Sequence, residues 1–183
     1  MIFGLFGGRR RNANRRIVTT VYETLTAAAR APAFYTAMSV PDSVMGRFEM
    51  LAVEMVLFLR RTRGGSVEVE AIAQEVVDEF FLDLDHSIRE IGIGDVGVPK
   101  RMKKFARMFY GRAEAYSAAL DARDTWALAD ALKRNVHPEN ENAPDMLALA
   151  HYMTATEDAL AGTPDAAILS GELTVPRPKD DEE

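Results

Sequence analysis

The chain has 183 residues, 48% of them apolar, which suits one domain with a substantial core and not a disordered protein. It has no cysteine, so disulfides and thiolate metal sites are excluded, a usage that fits a reducing compartment. Net charge is −6, yet Arg9, Arg10, Arg11, Arg15 and Arg16 put +5 into the first sixteen residues and leave −11 on the rest, which argues against DNA or other non-specific nucleic-acid binding by the body of the protein.

Residues 1–16 read as a segment of their own. Phe3, Leu5 and Phe6 form an apolar tip, and Gly7, Gly8 and the arginines follow. A secretory signal places its charges before a longer apolar run, so neither order nor length fits one, and no transit peptide is evident. An apolar tip joined to a polybasic run is the two-part chemistry of reversible attachment to anionic lipid, which makes Phe3, Leu5, Phe6, Arg9, Arg10 and Arg11 candidate membrane-binding residues. A disordered start that its arginines merely solubilise is the alternative.

Ile17, Val18, Val21, Tyr22 and Leu25 predict a first helix that stops near Ala31-Pro32, because proline cannot continue it. After a short irregular or helical piece, Asp42 or Ser43 caps a helix to about Arg63. Its centre, Met50 to Leu59, is apolar nearly all round and predicts a buried central helix, too short to span a bilayer, which needs roughly 20 residues. Glu54 is the lone acid in that run, and pairing with a basic residue at a helix contact is the expected solution.

Two helices of opposite charge follow. From Val67, Val69, Ala73, Val77, Phe80, Phe81, Leu84, Ile88 and Ile91 share one face, and acids including Glu75, Asp78 and Glu90 share the other. After Pro99, Met102, Phe105, Phe109, Tyr116 and Leu120 form a stripe, with Lys100, Lys103, Lys104 and Arg107 nearly opposite and Arg101 and Arg112 at its margin. Residues 98–112 hold six cations and no acid. Four lie in the first two turns, next to the positive end of the helix dipole, so helix formation alone does not select them. Contact with an anionic partner is one explanation, and a solvated face eased by acids of a neighbouring helix is the other. Leu82 among the acids and Tyr110 beside the cations fit a surface with apolar anchors inside a charged rim.

Between these helices, GIGDVG matches G-x-G-x-x-G. A dinucleotide fingerprint follows a strand and opens a helix, whereas here a long helix precedes it, so the glycines read as a connection between helices. Farther on, Asp124 caps a helix carrying Trp126, Leu128 and Leu132, Pro144 opens another that Gly162 stops, and a short helix runs to about Ser170. No segment alternates with period two. The expectation is an all-α, single-domain bundle of about seven helices over residues 17–170, with a disordered basic N-terminus and an unstructured acidic, Pro-rich tail over 171–183.

Chemistry is sparse. Glu79, Asp83 and His86 share one helix face, and Asp83 with His86 echoes a helical di-metal spacing, but they lie on the polar face and no second such unit accompanies them. No nucleophile elbow, H-E-x-x-H or phosphate loop is present. No metal, cofactor or catalytic residue is assigned.

Val40-Pro41-Asp42 with Gly46-Arg47-Phe48, Asp85, Ile88-Arg89-Glu90-Ile91-Gly92-Ile93-Gly94-Asp95, Val98, Lys100 through Lys104, and Phe109-Tyr110-Gly111-Arg112 together resemble the ubiquinol-cytochrome c chaperone family. The resemblance spans roughly residues 17 to 136; Ile88 and Ile91 stand where the family pattern has Leu and Met. It implies a helical, non-catalytic assembly factor that engages newly made apocytochrome b, or another complex III subunit, and keeps it competent for assembly. It further implies a cytoplasmic protein at the inner face of the cytoplasmic membrane, with anionic lipid, the ribosome and a small partner subunit as further partners. On this reading Leu82, Arg89, Glu90, Asp95, Lys100, Lys103, Lys104, Arg107, Tyr110 and Arg112 form the docking surface. A ribosome- or RNA-associated helical module is the alternative, and a helical metal-dependent enzyme a more distant one.

Overall fold

A computed structural model describes residues 3–90, 95, 97–140 and 142–178, with side chains described from Asn14 onward. Among the described residues there are eight helices and no strand. They are α1 (Phe3–Ala29), α2 (Pro32–Thr36), α3 (Val44–Thr62), α4 (Val67–Glu90), α5 (Val98–Asp121), α6 (Thr125–Val136), α7 (Leu147–Ala161) and α8 (Asp165–Ser170).

The all-round apolar character of α3 has the predicted consequence. Every residue from Ala52 to Phe58 is buried, and α1, α4, α5, α6 and α7 all pack on it. Its start is set locally. Ser43 is the cap, its Oγ accepting from the Gly46 amide at 3.1 Å, while Asp42 pairs with Arg47 at 2.9 Å. At its other end Arg60 reaches Asp121 of α5 and Glu157 of α7, and Arg61 reaches Asp165 of α8. The cluster of arginines therefore ties four helices together.

Four expectations are corrected. The boundary at residue 17 is not a helix start, because the backbone is helical from Phe3. The tail is not simply loose up to its end: Gly171 closes α8 with φ +81, Leu173 is buried, and Val175 packs on the core. The helix expected at Pro144 begins at Leu147. Glu54 has no cationic partner among the described residues; it lies fully buried and accepts from the Tyr152 hydroxyl at 2.7 Å. Gly92 and Gly94, expected to form the joint between α4 and α5, lie outside the described residues.

Candidate functional site

Four helix ends meet around one open hollow of about 470 Å³. The end of α1 contributes Ala29 and Arg30, the start of α3 contributes Val44, Met45, Phe48 and Leu51, the end of α4 contributes Leu84 and Ile88, and the start of α5 contributes Phe105. The floor is apolar, and Arg30, Arg47, Arg101, Asp83 and Glu90 form its charged rim. Val44 is 77% exposed and Met45 42%. Apolar side chains this open, beside a concave apolar floor, are the anatomy of a binding surface more than of a core.

The motif around Pro41 builds one wall of this hollow. A Cβ at Gly46 would stand 1.8 Å from the Pro41 carbonyl oxygen, so only glycine lets the turn fold so closely over the first turn of α3. That turn sets Arg47 on the rim and Phe48 in the floor, where Phe48 meets Phe105 edge-on at 5.0 Å.

On α5, Lys100, Lys103, Lys104 and Arg107 are all exposed and make no ion pair among the described residues. The acids of a neighbouring helix, the bland explanation of the strip, are not drawn to it. The strip adjoins the hollow through Arg101 and Phe105 of the same helix. Tyr110 is 57% exposed and leans on Phe81, with 6.2 Å between ring centroids. Leu82, half-exposed on α4, is not part of the hollow's lining.

Three other residues of the expected surface have different surroundings. Arg112 is buried, forking onto both Glu49 oxygens and donating to the Met108 carbonyl at 2.9 Å, with its guanidinium 5.6 Å from the Phe48 ring centre. It is a core ion pair and not a docking group. Burial pushes the Glu49 carboxyl up, and Arg112 opposes that shift. Arg89 bonds Asp85 at 2.6 Å and also Asp95, bracing the end of α4 to the connection that follows. Glu90 stays on the rim of the hollow. Phe3, Leu5, Phe6, Arg9, Arg10 and Arg11 have side chains outside the described residues.

Sequence reasoning missed Glu49, Val44, Met45 and the contribution of α1. A signal existed for Val44 and Met45, two apolar residues directly after a helix cap and four and three residues before Phe48, hence on the same helix face. None existed for Ala29 or Arg30. Of the metal-like set, Asp83 accepts from Tyr22 at 2.8 Å, and no group of His, Asp and Glu able to hold a metal ion occurs among the described residues.

An apolar hollow with a charged rim, on a helical scaffold beside a strip of exposed cations, defines an all-helical binding protein. The chain belongs to the ubiquinol-cytochrome C chaperone family, whose model matches residues 36–175. It is similar to a solved structure, the crystal structure of the Cbp3 homolog from Brucella abortus, with 50% identity, 96% of each chain covered and a TM-score of 0.86. No curated protein matches it. No described helix is long and apolar enough to cross a membrane.

Proposed function

We propose that this chain is a non-catalytic assembly factor that binds newly made cytochrome b and keeps it competent for incorporation into the ubiquinol-cytochrome c reductase complex. The hollow between α1, α3, α4 and α5 takes an apolar segment of the client, and the strip on α5 docks against the anionic surface beside which a membrane protein is inserted. One observation carries this reading: an apolar floor with Val44 and Met45 open to solvent lies next to four exposed cations that form no ion pair among the described residues, in a member of a chaperone family. Apolar burial would supply affinity, while the cations would supply attraction and orientation.

The strip also suits ribosomal RNA, which would place the chain where the client emerges. That contact predicts co-sedimentation with ribosomes that falls steeply with salt. Co-purification tests the client. Cytochrome b should accompany the tagged wild-type chain, and Met45→Glu should lose it without loss of helicity, because Met45 is not part of the core. Equal recovery with both proteins would remove the hollow from the account.

A further inference from the structure

Glu54 lies at the centre of α3 with no exposed surface. The Tyr152 hydroxyl of α7 stands 2.7 Å from its Oε1 and 3.2 Å from the Pro176 carbonyl oxygen. A tyrosine hydroxyl carries one proton, so it donates to one of these acceptors at a time. The other carboxyl oxygen, Oε2, has no hydrogen-bond partner among the described residues. An ionised oxygen buried without a donor is much costlier than the carbonyl oxygen of a neutral acid. With a proton on Oε1, Glu54 donates to Tyr152, Tyr152 donates to Pro176, and every link of the chain is satisfied.

Pro176 belongs to a segment that crosses the bundle. Gly171 turns the chain after α8 close to Thr20 and Ile17 of α1. Leu173 and Val175 then pack into the core, and the segment reaches α7 at Tyr152. The Glu172 amide, which donates to the Ala167 carbonyl at 2.8 Å, fixes its start, and two apolar side chains and the Pro176 carbonyl hold the rest.

We propose that residues 172–178 form a proton-linked strap: uptake of a proton by Glu54 lets Tyr152 hold the Pro176 carbonyl, and loss of that proton turns Tyr152 to the carboxylate and frees the end of the strap. Tyr152 is the titratable group that bears on Glu54; among the described residues no ionised group contributes, neither on the helices packed against α3 nor the strap's own Glu172 and Arg177. Burial pushes the Glu54 carboxyl up to about 7, against the smaller opposing effect of the Tyr152 hydrogen bond, so the exchange falls near neutral pH. His151, next to Tyr152 in sequence, is exposed and serves as a control. The inference does not depend on the identity of the client.

Because the chain has no cysteine, Thr174→Cys, at an exposed position, accepts a single label whose emission is insensitive to pH. Anisotropy of the labelled full-length chain should fall as pH rises, with a midpoint at about 7. It should stay high throughout in Glu54→Gln, whose amide donates as the neutral acid does, and low throughout in Tyr152→Phe. His151→Gln should titrate like the parent. Constant anisotropy in the parent protein, or a Glu54→Gln chain that titrates unchanged, would overturn the proposal.

Discussion

At Gly46 the chain tolerates no side chain, since a Cβ would meet the Pro41 carbonyl, a backbone atom that cannot rotate aside. Gly46→Ala should therefore lower stability by about 1–3 kcal/mol, the usual cost of forced overpacking, seen as a lower urea midpoint at unchanged slope. Arg112 has a different role. Removing it leaves Glu49 buried and uncompensated, so Arg112→Ala should cost about 3–5 kcal/mol, whereas Glu49→Leu with Arg112→Met should recover most of that loss. Glu54 makes stability depend on pH. Its folded pKa, about 7, exceeds the ordinary value of 4.5, so between these values the folded state binds more protons than the unfolded one. Its contribution is full below about 4.5 and is lost as pH rises through about 7. Urea unfolding across this window should show stability falling with rising pH, and the fall should shrink in Glu54→Gln. These three residues also mark the limit of reading by pattern. Arg112 sits at the margin of an amphipathic face, and periodicity does not say that Glu49, on another helix, pulls it inward.

Among the elements, α5 was the most legible. Its apolar stripe is buried at Phe109, Tyr116 and Leu120 and its strip is exposed, because a 3.6-residue period sorts a long helix into faces without help from its neighbours. Lys103→Glu with Lys104→Glu should abolish client capture while circular dichroism and melting stay at or slightly above wild type, since acids near a helix N-terminus are favourable. A drop in melting temperature would assign the strip a structural role. The ends of the chain are less legible. Composition alone marks the tail as Pro-rich and acidic, and hides that Leu173 and Val175, two residues apart, find places on the core. Likewise Gly7 and Gly8 argue against a helix by propensity, yet the backbone continues α1 to Phe3.

At the level of the whole molecule, fold class followed from the absence of any two-residue alternation and from one helix apolar all round. The hollow did not. Its lining comes from helix ends between Thr26 and Phe105, and only their packing around α3 brings them together. The turn at Gly46 is legible in the sequence through the family resemblance alone, and its physical reason is the approach of the Pro41 carbonyl. Attachment to anionic lipid belongs to this scale too. Flotation with anionic vesicles should weaken when residues 1–16 are deleted, and indifference to the deletion would end that assignment.

The most direct test is genetic and biochemical together. In a strain lacking this chain, ubiquinol-cytochrome c reductase should be depleted while cytochrome b message persists, and wild-type protein should restore it where folded Met45→Glu protein does not. An undiminished complex after deletion, or full restoration by Met45→Glu, would contradict the account.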